Sequence, residues 1–313
     1  AAGRLASPSL ASVNLFDGVL TEYAGPRFGA GFFAGSQPGT SDWAYTRQIM
    51  EYGGYARLQN ALLAPHRWSI TGGGVTSYNH GATNRDYVFL RGQWNDARSF
   101  GYLSQEIDVN RGWRREIESG ALSLTSTLLS LQYRPTNALT LNAGYDNRRN
   151  VRLYDDRETP ESEFDAAHRQ GWSGGISLYP THALSFSGDR RVNGGGADRT
   201  DATTGSWRVT HLPGVALDLS GRHTRYHNPQ SAGWLHAWSM GGGLGAGRRL
   251  EAHTGLRDER SEGATRTRTY TRWYGLNLDV GLARSIYLLL SGEATRGDLE
   301  NNDQYYLSLS YQL

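Results

Sequence analysis

The last nine residues constrain the fold most, because their apolar character returns at every second position. Tyr305, Leu307, Leu309, Tyr311 and Leu313 are apolar or aromatic, while Tyr306, Ser308, Ser310 and Gln312 between them are mostly polar. A period of two gives an extended strand one greasy face and one wet face, whereas a helix would repeat its stripe every three to four residues. The alternation recurs upstream. Leu139, Leu141, Ala143 and Tyr145 alternate with Thr140, Asn142, Gly144 and Asp146; Leu184 and Phe186 with Ser185, Ser187 and Asp189; Val215, Leu217 and Leu219 with Asp218, Ser220 and Arg222. Leu250, Ala252 and Leu256 oppose Glu251, His253 and Arg257; Leu276, Leu278, Val280 and Leu282 oppose Asn277, Asp279 and Gly281; Ile286, Leu288 and Leu290 oppose Ser291 and Glu293.

Two kinds of breaker separate these runs. Gly25-Pro26-Arg27, Ala64-Pro65-His66, Pro135-Thr136-Asn137-Ala138, Pro180-Thr181-His182-Ala183, Pro213-Gly214, Gly247-Arg248-Arg249 and Arg284-Ser285 read as tight turns. Between them fall polar loops, the longest containing Asp155 to Glu163, with others at 194–198, 228–230, 261–263 and 298–302. A soluble sandwich has no reason to segregate short turns from long loops, but a sheet closed on itself in lipid does. Closure follows from hydrocarbon chemistry, since an open edge would leave backbone N–H and C=O groups unpaired. The sequence therefore predicts an all-β, transmembrane, antiparallel up-and-down β-barrel of about sixteen strands over residues 28–313. Residues 1–27 are expected to form a lead-in or an extra strand at Val13 to Tyr23, or the end of an upstream domain. Trp68, Trp94, Trp172, Tyr179, Trp234, Tyr274 and Tyr311 are candidates for interfacial girdles.

The longest uninterrupted aliphatic or aromatic run, Ile286 to Leu290, is far shorter than the ~20 residues of a membrane-spanning helix. The chain opens Ala1-Ala2-Gly3-Arg4 without a leader's basic start and apolar core, so a mature product or a piece of a longer precursor is expected.

The ending Tyr305-Tyr306-Leu307-Ser308-Leu309-Ser310-Tyr311-Gln312-Leu313 resembles the C-terminal signature of bacterial outer-membrane barrel proteins. The stretch from Tyr145-Asp146-Asn147-Arg148-Arg149 into the following polar loop also resembles poorly characterised Gram-negative barrels. The resemblance implies an integral outer-membrane location. It also implies that Tyr305, Leu307, Leu309, Tyr311 and Leu313 form a strand read by the assembly machinery. Leu313 stands where that family usually ends in an aromatic.

The absence of cysteine excludes a disulfide framework, a thiolate zinc site, a CxxCH haem attachment and a cysteine nucleophile. With 32 basic residues, all arginine, against 30 acidic ones, the net charge of +2 gives no electrostatic case for nucleic acid. The polar parity instead selects a pore lining: Asp146, Arg148, Asp189, Arg191, Asp218, Arg222, Glu251, Arg257, Glu259, Asp279 and Glu293. These either set weak ion selectivity or pair across neighbouring strands and hydrate the bore. Gly241 to Gly247 lacks the Lys-Ser/Thr of a phosphate loop and reads as curvature or close strand approach, as does Gly72-Gly73-Gly74.

The expected function is a passive water-filled pore, or the membrane conduit of a larger export assembly, with no cofactor and no metal. Its expected partners are outer-membrane lipid, the assembly machinery and periplasmic or lipoprotein subunits. One alternative is a scaffold barrel holding a lipoprotein or a cytochrome. The other is a lipid-modifying enzyme using His223 beside Ser220, Thr224 and Tyr226, with His227 and His236 nearby.

Overall fold

The computed structural model describes residues 1–7, 9–10, 15–39, 43–60, 64–118, 120–160, 168–194, 199–212, 216–245, 247–262, 266–283, 285–299 and 301–311. Among them eighteen strands follow one another: β1 (Ala2–Leu5), β2 (Phe16–Ala24), β3 (Phe28–Ser36), β4 (Ile49–Gln59), β5 (Arg67–Asn79), β6 (Ala82–Asn95), β7 (Ser99–Val109), β8 (Leu122–Thr136) and β9 (Leu139–Arg149). They continue as β10 (His168–Thr181), β11 (Leu184–Asn193), β12 (Thr200–Val209), β13 (Leu217–His227), β14 (Ser231–Gly245), β15 (Arg248–Ser261), β16 (Arg268–Ala283), β17 (Ile286–Gly297) and β18 (Asn301–Tyr311). One short helix, α1 (Trp113–Ile117), lies between β7 and β8, and a 3-10 turn (Tyr154–Asp156) follows β9. The strands form one antiparallel up-and-down sheet, an all-β, barrel-like fold.

Sixteen strands follow residue 28, the number that the turn spacing predicts, but the N-terminal residues raise the total to eighteen among the described residues. β2 starts at Phe16 and pairs through Asp17 to Ala24 with Ser36 to Gly29, while Val13, the expected start of this strand, lies outside the described residues. β1 pairs with its other side, from Ala2 opposite Val19 to Leu5 opposite Phe16, so two added strands keep the total even. Four residues are too few for a period to show in the sequence.

The turns are tighter than the prolines suggest. Pro135 and Pro180 stand within the ends of β8 and β10, leaving 137–138 and 182–183 as the connections. A proline at a strand end removes a donor where the ladder is ending. Pro213-Gly214, Arg284 and Gly263 lie outside the described residues. The β5–β6 connection is the two-residue turn His80–Gly81, with φ of 49° and 85°, the signature of a type I′ hairpin.

Contacts divide the chain into two compact units, Ala1–Tyr133 with Asn142–Trp172, and Arg134–Leu141 with Ser173–Leu313. In the first, register separates two chemically different faces. Val19, Phe32, Leu58, Ile70, Val88, Leu90 and Leu131 share one face and are exposed. The other face is buried. One row crosses it from Leu20 through Phe33, Gly53, Val75 and Tyr87 to Asp108. Phe16, Leu20, Phe33, Val75, Tyr87 and Phe89 cluster there with Leu10. Their rings lie along the sheet because glycine leaves room beneath them: a Cβ at Gly53 would come 2.5 Å from Phe33 Cε1, and one at Gly73 2.7 Å from Phe89 Cζ.

In the second unit, register puts Leu184, Phe186, Trp207, Leu217, Leu219, Met240, Leu250, Leu276, Leu278, Leu288, Leu290, Leu307 and Leu309 on one face. The opposite face carries Ser185, Ser187, Thr204, Ser206, Ser220, Thr224, Ser239, Asn277, Ser291 and Ser308, interrupted by Leu235, Trp273, Tyr287, Leu289 and Tyr306.

Candidate functional site

The polar face of the second unit holds nine of the eleven charged positions expected to line a pore. Asp189 and Arg191 lie on β11, Asp218 and Arg222 on β13, Glu251, Arg257 and Glu259 on β15, Asp279 on β16 and Glu293 on β17. Paired residues in neighbouring strands share a face, so the register connects them. Asp189 opposes Thr204, then Thr224, Leu235 and Arg257; Arg191 opposes Ala202, then Tyr226, Gly233 and Glu259. Asp218 connects through Gly241 to Glu251, and Arg222 lies opposite Ser206 and Ala237. Hydroxyl pairs tie the strands between the charges, Ser187 with Ser206 at 2.6 Å and Ser220 with Ser239 at 2.7 Å.

Some charges on this face are already paired. Arg257 donates to the Tyr226 hydroxyl at 3.0 Å and forms an ion pair with Glu259, two positions along the same strand. Glu293 meets His253 at 3.3 Å. The remaining two expected positions, Asp146 and Arg148, sit together on β9 and close a bidentate pair on each other, both bonds 2.7 Å. Tyr305, Leu307, Leu309 and Tyr311 share one face of β18 with Ile286, Leu288 and Leu290, while Leu313 lies outside the described residues. The seven candidate girdle aromatics, Trp68, Trp94, Trp172, Tyr179, Trp234, Tyr274 and Tyr311, are all exposed.

The most densely coordinated charges are in the first unit, on the buried face. Asp108 on β7 is fully buried and accepts Arg85 Nη2 at 2.8 Å, Arg114 Nη2 at 2.7 Å and Thr125 Oγ1 at 2.8 Å. A register shift at Glu106/Ile107 leaves Thr125 as the extra residue of β8, and a bulge of this kind re-aims a side chain. Arg85 also reaches Glu106 at 3.1 Å. Arg114 comes from α1, so the segment 110–118 is anchored onto the sheet by a guanidinium whose side chain is 3% exposed. Burial weakens the hold of that guanidinium on its proton, and Asp108 restores part of it.

A second segment locks over the first. Arg114 donates to the Arg152 carbonyl at 2.9 Å, and Arg149 pairs with Glu118 at 2.6 Å. Trp113 donates to the Thr83 carbonyl at 2.6 Å and meets the Tyr154 ring edge-on, while Asn79 donates to Asp155 at 2.8 Å. Segments 110–118 and 149–160 thus cover the tip of the β5–β6 hairpin. Residues 161–167, which continue this polar loop, lie outside the described residues.

The residues considered for catalysis divide between the two faces of the sheet. His223 faces His236, Nδ1 to Nδ1 at 2.6 Å, on the apolar face, whereas Ser220, Thr224 and Tyr226 lie on the opposite one. Among the described residues no group of three His, Cys, Asp or Glu stands close enough to hold a metal ion. Sequence parity missed Arg85, Glu106, Asp108 and Arg114. A signal was available in Asp108, an acid next to the long polar segment that contains Arg111, Arg114 and Arg115.

No family model and no curated protein matches the sequence. Solved structures similar to it include an anion-selective porin from Comamonas acidovorans, 12% identical over 94% of this chain and 95% of that one, TM-score 0.42. A loop L8 deletion mutant of OmpT, an outer membrane protein of Vibrio cholerae, is 10% identical over 94% and 99%, TM-score 0.42. A bacterial polysaccharide outer membrane secretin is 8% identical over 92% and 97%, TM-score 0.39. No residue role passes from these likenesses to this chain.

Proposed function

We propose that the chain is an integral outer-membrane channel, a passive water-filled passage acting alone or as the membrane conduit of an export assembly. The observation that carries this reading is the reversed placement of the two sheet faces. In the first unit Phe32 is 59% exposed, while its strand neighbour Phe33 is 0% exposed and shares its face with Asp108 and Arg85. Water would favour the opposite arrangement, but a hydrocarbon surround favours this one. Fold alone does not identify a solute.

In this reading the polar face of the second unit borders the passage, and β18 presents its Tyr305 to Tyr311 face to the assembly machinery. Outer-membrane lipid covers the apolar face, and periplasmic or lipoprotein subunits join where the passage belongs to a larger conduit. The test is planar-bilayer recording of the purified, refolded chain. Stepwise, ohmic conductance is expected. A chain that stays monodisperse without detergent and never conducts would overturn the reading, and subunits co-purifying from native membranes would mark a conduit rather than a self-sufficient pore.

A further inference from the structure

One part of the apolar face does not suit hydrocarbon. Towards the loop ends of β13 to β17, positions that share a face with Leu219, Met240, Leu276 and Leu288 carry arginine instead. Arg225 lies opposite Trp234, and Trp234 opposite Asp258; Arg260 lies between Ala232 and Arg268; Arg272 lies opposite Arg296. Two of these pairings put arginine opposite arginine across strands, where like charges are unfavourable unless an anion is shared. Asp258 takes Arg268 in a bidentate pair at 2.8 and 2.6 Å, and Asp303 takes Arg296 at 2.6 Å. Among the described residues neither Arg260 nor Arg272 forms an ion pair, although Arg260 lies near enough to Asp258 to feel its charge.

The arginines also frame a cavity. A space of about 300 Å³ opens between β13, β14 and β15, lined by Arg225, His227, Ala232, Trp234, Asp258 and Arg260. Ala232 lies between His227 and Arg260 in register, and its small side chain leaves the gap. A second space of about 310 Å³ shares Arg260 and adds Arg266 and Arg268. The Arg225 guanidinium sits 5.6 Å from the centre of the Trp234 ring. Trp234, His236 and Trp238 then stack in near-parallel planes, 5° and 10° apart, along β14 toward Met240.

We propose that this rim binds the phosphorylated sugar headgroup of an outer-leaflet glycolipid, an inference that rests on the apolar face meeting lipid. Guanidinium groups match phosphate oxygens in paired hydrogen bonds, which suits Arg225 and Arg260 at the cavity and Arg272 beside it. The indole of Trp234 offers a flat face to a sugar ring, and tryptophan favours this depth of a membrane. The acyl chains would run down over Leu219, Met240, Ala252 and Leu276. Five arginines against two aspartates give the rim the net positive charge that such a headgroup requires.

The refolded chain in detergent micelles is mixed with bis-phosphorylated lipid A or its dephosphorylated form, and bound lipid is counted by native mass spectrometry. Retention of the phosphorylated form alone is expected, and Arg225→Gln with Arg260→Gln should weaken it by roughly tenfold or more. Arg208→Gln, on the opposite face, should leave retention unchanged. Millimolar inorganic phosphate should not displace the lipid; displacement would assign the rim to free phosphate and overturn the proposal. Equal retention of both lipids, or of one lipid by both proteins, would also overturn it. Conductance of the same preparations separates the two readings: a conducting channel without lipid discrimination removes the rim site alone, and a chain that does not conduct removes the channel.

Discussion

Asp108 ties β6, α1 and β8 to β7 in the first unit, because two arginines and a threonine converge on its carboxylate with almost no solvent to replace it. The pair has value as a pair: removing one partner of a buried ion pair leaves an uncompensated charge, which is more costly than the pair's net contribution. Asp108→Asn should therefore destabilise the chain by about 3–5 kcal/mol in urea unfolding from lipid vesicles; a loss near zero would mean that water reaches Arg85 and Arg114. Adding Arg114→Gln to Asp108→Asn should recover part of the loss by removing one stranded cation. On the polar face of the second unit, Arg222 and Arg257 differ in a way their shared charge conceals. Arg257 is joined to Glu259 and Tyr226, so Arg257→Gln both removes a cation and releases an anion. Reversal potentials in a salt gradient should move toward cation preference for both Arg222→Gln and Arg257→Gln, and further for the second. Unchanged potentials would place both residues away from the ion path.

At the scale of elements, the β6–β7 connection shows how a turn with neither glycine nor proline is fixed. The Asp96 carboxylate accepts the backbone N–H groups of Arg98 and Ser99, both at 2.7 Å, together with the Ser99 hydroxyl and the Trp94 indole. These hydrogen bonds, that from Ser99 foremost, hold its pKa well below the usual carboxylate range. A carboxylate depressed on folding contributes stability above its unfolded value and loses it as pH falls through the folded one. Asp96→Ala should thus speed amide exchange at Arg98 and Ser99 at neutral pH, and the difference from the parent should shrink in strong acid; a pH-independent difference would sink this account. Gly53 fixes an element differently. An added methyl would meet Phe33 and, at 2.8 Å, the Gly74 carbonyl, so Gly53→Ala should cost about 1–3 kcal/mol, checked by the same urea titration. Strands with opposed chemistry on their two faces were legible from sequence, and β13 and β15 to β18 fell where alternation put them. β3 to β6 were less so, because their buried face mixes Phe33 and Phe89 with Arg85 and Glu51, which blurs the period. The Arg114 contact with Arg152 spans 38 positions and depends on how two loops dock, which no local pattern encodes.

For the whole molecule, which face meets hydrocarbon decides everything else, and both units answer alike when taken separately. Sixteen strands after residue 28 could be counted in advance because tight turns and polar loops alternate at nearly every connection. The sequence also assigned nine charged residues of the second unit to the polar parity, and register joins those nine positions into one face. It could not give the partner of each charge, which is why Arg257 and Glu259 were expected singly and occur as a pair. The decisive comparison uses two neighbours on β16. Leu278 is flanked on the apolar face by Leu250 and Leu290, while Asn277 is flanked on the polar face by Glu251 and Ser291. An arginine facing lipid near mid-depth costs about 2–4 kcal/mol, whereas one facing an aqueous interior is tolerated. Leu278→Arg should therefore lower stability in lipid vesicles by that amount, while Asn277→Arg should leave it nearly unchanged and shift the channel toward anions, as its guanidinium offsets Glu251. Equal costs for the two variants would mean that both faces meet the same surroundings. A reversed order would mean that the leucine side encloses the water.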